Sequence, residues 1–140
     1  MNILIIDGQG GRMGRTLVEE TRKNCPGAVI TAVGTNSIAT GSMIKAGAAD
    51  HLATGENAVI TACRRADIIM GPIGIAMADA MMGEITPAMA NAVAASDAYR
   101  ILIPMNLCET YVAGTVKGSS AILSDAMEHL CRLTAGKTNG

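Results

Sequence analysis

The chain has 140 residues, 49% hydrophobic and 16% charged, with no Trp, no Phe and two Tyr, so its core must be aliphatic, built from Ala, Ile, Val, Leu and ten Met. That length suits one domain, and eleven basic against twelve acidic residues, scattered and without a basic stripe, give no footing for nucleic acid. The longest strongly apolar uncharged stretch, Ile68–Ala78, holds two Gly and a Pro and is too short to span a bilayer.

Residues 3–6 (ILII) form a continuous apolar run, the mark of a strand covered on both faces. From Arg12 to Asn24 the spacing predicts an amphipathic helix with Met13, Leu17, Val18 and Thr21 inward, stopped by Cys25-Pro26-Gly27. A second strand is expected over 28–33, a helix over 37–46, a third strand near 50–53, a helix over 56–65 and a fourth strand over 67–70. Two Ala/Met-rich helices follow, 75–83 and 86–96, the second with Thr86 as N-cap and Pro87 at its first position. Residues 100–104 and 110–116 read as fifth and sixth strands, 120–134 as a last helix, and 135–140 as a flexible tail. Strand and helix alternate throughout residues 1–134, which predicts one α/β domain: a three-layer, doubly wound, mainly parallel sheet of Rossmann type.

Cys25, Cys63, Cys108 and Cys131 lie far apart with no CxxC pair, so no zinc site is expected, and free thiols suit a reducing cytoplasm. The N-terminus lacks the basic region of a signal peptide and meets Asp7 after four apolar residues. So much apolar residue in so small a domain predicts a homo-oligomer, dimer or tetramer, joined through the Ala/Met segment between Ile75 and Ala95.

The chemistry gathers at "IIDGQGGRMGR". Gly8, Gly10, Gly11 and Gly14 follow a strand and open a helix, the setting of a phosphate-binding turn, in which helix N–H groups and the dipole favour an anion. No Gly-Lys-Ser/Thr follows, so it is not a P-loop. Asp7 at the lip either fixes the turn through loop N–H groups at Gly10 or Gly11 or holds a ligand hydroxyl or a Mg²⁺ ion.

The words "GGRMGRTL" resemble the N-terminal element of dihydrodipicolinate reductase, which binds NADH or NADPH there, with Gly8, Gly11 and Gly14 matching its glycines and Arg12-Met13 its "RM". That enzyme also has a second domain with a paired-histidine motif. Here His51 and His129 stand far apart, and the reductase activity is not carried over. Along the whole chain, "DGQGG", "AVGTNSIAT", "GAADHLATGENAV", "ADIIMGPIGI", "GEITPAMA" and "ILIPMN" resemble a bacterial domain-of-unknown-function family (number three-eight-four-two), which brings no activity with it.

In a doubly wound sheet the ligand lies beyond the carboxyl ends of the strands. The loops expected there are Asp7–Gly14, Gly34–Ser37, Thr54–Asn57, Gly71–Gly74 and Pro104–Glu109. The cofactor-binding set is Asp7, Gly8, Gly10, Gly11, Arg12, Met13, Gly14, Gly34, Thr35, Asn36, Gly71, Pro72 and Asn106. NAD sites usually carry an acid at the end of the second strand for the adenosine ribose. No acid occurs here between Cys25 and Ala49, and Thr35, Asn36 and Ser37 with Lys45 or Arg12 could take a 2′-phosphate, so NADP(H) is preferred to NAD(H). Asn36 or Ser37 could equally cap the next helix. Cys108, without a His beside it, reads as inert, and His51 and the cluster Met77, Met81, Met82 and Met89 as structural. No catalytic triad or metal constellation is present in the sequence. The expected role is a nucleotide-binding module or sensor, with a small NAD(P)-dependent oxidoreductase completed across a dimer, or a Mg²⁺-assisted binder of another phosphorylated ligand, as alternatives.

Overall fold

The computed structural model describes residues 1–105, 110–114 and 118–138. Five strands, β1 (Asn2–Asp7), β2 (Val29–Gly34), β3 (His51–Thr54), β4 (Ile68–Pro72) and β5 (Tyr99–Ile103), form one sheet in the order β3-β2-β1-β4-β5. Every pairing is parallel, with Asp7 opposite Gly34 and Ile5 opposite both Ala32 and Met70. The chain runs outward from β1 to β3, then returns to the other side of β1 as β4. The β1–β4 boundary is therefore the switch point, where the loops leaving neighbouring strands part and open a crevice.

Alternation along the strands divides the core in two. Ile3 and Ile5, with Ile30, Met70 and Ile101, face α1 (Arg12–Asn24), α2 (Ser37–Ile44) and α5 (Ser119–Thr138), which contribute Leu17, Val18, Met43, Met127 and Leu130. Leu4 and Ile6, with Val33 and Ile69, face α3 (Glu56–Cys63) and α4 (Pro87–Ala95), which contribute Val59, Met89 and Val93. Each such fully buried aliphatic side chain stabilises the fold by about 1.5–3 kcal/mol.

Three expectations are corrected. Residues 75–83 do not form an α-helix: a 3-10 helix, Ile73–Ala76, leads into successive turns. The reason is tertiary, since Ile75 is fully buried and the following chain must double back toward the glycine loop. The expected sixth strand fails over 110–114, which hold one bridge residue and a turn, while 115–117 lie outside the described residues. The last helix continues through Thr138, so the first four residues of the expected tail are helical. The second Ala/Met helix is as expected: the Thr86 hydroxyl accepts the Met89 N–H at 3.1 Å and Pro87 opens the helix.

Candidate functional site

The glycine loop is built around Asp7. Its side chain turns inward, 5% exposed, and Oδ1 accepts the Gly8 N–H at 2.8 Å while Oδ2 accepts the Gly14 N–H at 2.7 Å. The turn-fixing role is thus realised, but through Gly8 and Gly14 rather than Gly10 or Gly11. The Gly11 N–H closes the turn on the Gly8 carbonyl at 2.9 Å. Gly11 sits at φ 71°, and a Cβ there would lie 2.6 Å from the Ala39 carbonyl oxygen, so α1 and α2 can meet only over a glycine. At Gly14 a Cβ would lie 2.7 Å from both Asp7 Cβ and Met43 Sδ, which makes glycine the condition for Asp7 to reach under the helix.

Gly10 is different. A Cβ there would meet nothing within 4 Å, and the residue is exposed. Among the described residues no acceptor takes the N–H groups of Gly10, Arg12 or Met13, the last two being donors of the first turn of α1. The loop therefore holds itself together with Gly8, Gly11 and Gly14 and presents Gly10 and Arg12 outward, while the Met13 side chain packs against the core as expected and only its N–H joins theirs. Met13 also borders a cavity of about 500 Å³ whose other walls include Ile103, Pro104, Tyr111 and Ile122.

At the end of β2 the structure adds a residue that the sequence reading did not select. Glu84 arrives from the turns after β4, and its Oε1 accepts from the Gln9 N–H at 2.9 Å, the Thr35 hydroxyl at 2.8 Å and the Asn36 side-chain amide at 2.6 Å. Met81 accompanies it, so that a Cβ at Gly8 would lie 2.6 Å from Met81 Sδ and 3.2 Å from Glu84 Oε1. The segment carrying them is contorted: Asp79, Met81, Met82 and Gly83 all have positive φ, 64°, 57°, 57° and 90°. Non-glycine residues pay about 1–2 kcal/mol each in that region, and such strain persists only where surrounding contacts over-determine it. Asn36 has a second duty, its Oδ1 accepting the Ala39 N–H at 2.9 Å as the cap of α2, so the capping role is also present.

The two carboxylates are tuned in opposite directions. Burial pushes the Asp7 carboxyl up, the Gly14 and Gly8 N–H bonds only partly offset this, and the nearby Glu84 charge adds to the rise. Burial also pushes Glu84 up, but the bonds from Gln9, Thr35 and Asn36 together outweigh it and hold the group below its ordinary value. The two carboxyl groups share one small mouth, where the Glu84 charge reaches Asp7.

The other expected residues fall around this centre or away from it. Gly34 ends β2, and a Cβ on it would strike Thr40, whose hydroxyl pairs with that of Thr54 at 2.7 Å. Gly71 lies in β4, where a Cβ would strike the Ile6 carbonyl oxygen, and Pro72 ends that strand; both are buried. Glu56 sits in the first turn of α3, where its charge complements the helix dipole. His51 opens the edge strand β3, at the opposite end from the carboxyl-end loops, and is exposed. Of the Met cluster, Met89 is core and Met82 is 99% exposed. Asn106 and Cys108 lie outside the described residues. No helix among the described residues is long and apolar enough to cross a membrane.

Glu84 escaped notice because it reads as an acid ahead of a helix cap, in "GEITP". The signal that could have found it is Gly83: a glycine directly before an acid, after an Ala/Met run, marks a place where a helix cannot continue. The chain belongs to the family described as Domain of unknown function (DUF3842), whose model matches residues 2–136. No curated protein and no solved structure matches it.

Proposed function

We propose that this member of a family without an assigned role binds a nucleotide at its glycine loop, most naturally a nicotinamide dinucleotide, and serves as a binding module or sensor. The observation that carries the reading is the division of labour within the loop. Three glycines and Asp7 secure the turn at the switch point, while the N–H groups of Gly10, Arg12 and Met13 have no acceptor among the described residues where a pyrophosphate would approach. The end of β2 supplies a polar neighbourhood for the adenosine ribose, and the cavity beside Met13 gives the far half of a dinucleotide somewhere to lie.

That cavity also favours a second reading, a small NAD(P)-dependent oxidoreductase whose site is completed across a homo-oligomer, dimer or tetramer. The expected interface between Ile75 and Ala95 has lost its first helix, and Met82 is the one large apolar side chain exposed there among the described residues. A Mg²⁺-assisted phosphate site is the weakest of the three, because Asp7 has both oxygens committed to the backbone.

Titration calorimetry with NADH and NADPH tests the reading. Wild type should bind at least one of them at micromolar concentration, and Gly10→Val should abolish that binding with the far-UV circular dichroism unchanged, since a Cβ at this position meets nothing within 4 Å. If neither dinucleotide binds below millimolar, the loop is only a turn.

A further inference from the structure

The preference between the two dinucleotides turns on which groups at the end of β2 remain free. The sequence argument for NADP(H) spent Thr35 and Asn36 on a 2′-phosphate. In the folded chain the Thr35 hydroxyl and the Asn36 amide both donate to Glu84 Oε1, and Asn36 Oδ1 is taken by the cap of α2. A 2′-phosphate would find these donors occupied and a carboxylate in their midst. Glu84 Oε2, by contrast, accepts from no described residue, and Glu84 is only half-buried. A carboxylate with one oxygen anchored and the other open is suited to accept ribose hydroxyls and to repel a phosphate. It also stands where it must for that purpose, tied to the glycine loop through the Gln9 N–H and to the end of β2 through Thr35. The acid that nucleotide-binding sheets usually carry at the end of the second strand is here delivered from 48 residues beyond Asn36.

Resting on the nucleotide reading above, we propose that Glu84 is the specificity-determining residue of this site and selects nucleotides with a free ribose diol, NAD(H) among the dinucleotides, over those bearing a 2′-phosphate. The strained turn through Asp79, Met81, Met82 and Gly83 is the device that brings the carboxylate there.

The test is the ratio of affinities for NADH and NADPH, measured by calorimetry for wild type and Glu84→Gln. Wild type should favour NADH by about tenfold or more, and the variant should lose most of that ratio, chiefly by binding NADPH more tightly, because the amide keeps an acceptor oxygen but no charge. Equal affinities in wild type, a wild-type preference for NADPH, or a ratio unchanged in the variant would overturn the assignment while leaving nucleotide binding intact. A variant that weakens both ligands equally would make Glu84 merely a support of the loop, and that too overturns it. Failure of wild type to bind either ligand removes the site itself. Should Glu84→Gln not fold, wild type alone decides, with 5′-AMP against adenosine 2′,5′-bisphosphate: the monophosphate should bind more tightly, and a preference for the bisphosphate refutes the proposal.

Discussion

Asp7 and Glu84 bring two carboxylates to one mouth, and the fold treats them differently. Asp7 is local: it lies at the end of β1, satisfies N–H groups one and seven residues ahead, and is shut away under α1. Glu84 comes from across the molecule, is held through a single oxygen, and depends on a segment with four departures toward left-handed backbone within five residues. One acid makes the loop; the other is presented by it. A carboxylate whose two oxygens are both used is architecture, whereas one with an oxygen to spare at a crevice is a candidate for recognition.

The largest effects should come from breaking the architecture. Gly11→Ala places a Cβ against the backbone of Ala39 at φ 71°, which combines left-handed strain with overpacking for a loss of about 3 kcal/mol in urea unfolding. Gly10→Ala, one residue away, should change stability by no more than about 0.5 kcal/mol, since nothing lies near its Cβ. Equal losses at the two positions would mean that the loop is not divided into a fixed and a presenting part.

Asp7→Asn comes next, at about 2 kcal/mol near neutral pH, because the amide can accept only one of the two N–H groups and turns its own donors on the other. Its pH dependence separates it from Glu84. Asp7 is raised in the folded state, so the native protein takes up this proton before the unfolded chain does as pH falls, and its contribution to stability grows toward acid. The gap between wild type and Asp7→Asn should therefore widen on acidification. Glu84 is lowered in the folded state, so its contribution is complete above the ordinary glutamate value of about 4.3 and is lost as pH falls through the native value. Glu84→Gln should cost about 1 kcal/mol at pH 7, and that deficit should disappear toward pH 3. Parallel pH curves for the two variants would contradict the opposite tuning of the two acids.

Those two sites also mark what could be read before the fold was known. The β1–loop–α1 unit was legible because every determinant is local: ILII for a doubly covered strand, glycines for the turn, and Met13, Leu17, Val18 and Thr21 at helical spacing. The parallel α/β sheet followed from the alternation of strands and helices, with one strand too many, since the sixth expected over 110–116 does not form over 110–114. The run from Ile75 to Gly83 misled because Ala and Met favour helix by a few tenths of a kcal/mol per residue, whereas the fold there is decided by long-range contacts, the burial of Ile75 and the three bonds of Glu84. The preference for NADP(H) rests on a missing acid in one loop, and only the measured ratio of the two dinucleotides decides it. Absence of a residue from one loop says nothing about what another segment will deliver to it.

The smallest expected effect bears on that contorted segment. Met82 holds φ 57° while 99% exposed, so its side chain gains nothing from burial in the single chain and bears the full left-handed penalty. Met82→Gly removes a penalty of about 1–2 kcal/mol but adds about 0.5–1 kcal/mol of unfolded-state entropy, for a net gain of roughly half a kcal/mol. Met82→Asn should gain a similar amount, because Asn tolerates this region and keeps the unfolded chain less free than Gly does. Thermal melting of the two variants beside wild type measures the difference, and neither should alter nucleotide affinity by more than about twofold if Glu84 keeps its anchors. A loss of stability in both would show that the Met82 side chain is buried after all. Its cover would have to come from a second copy of the chain, and a melting temperature that rises with protein concentration in wild type but not in the variants would identify it.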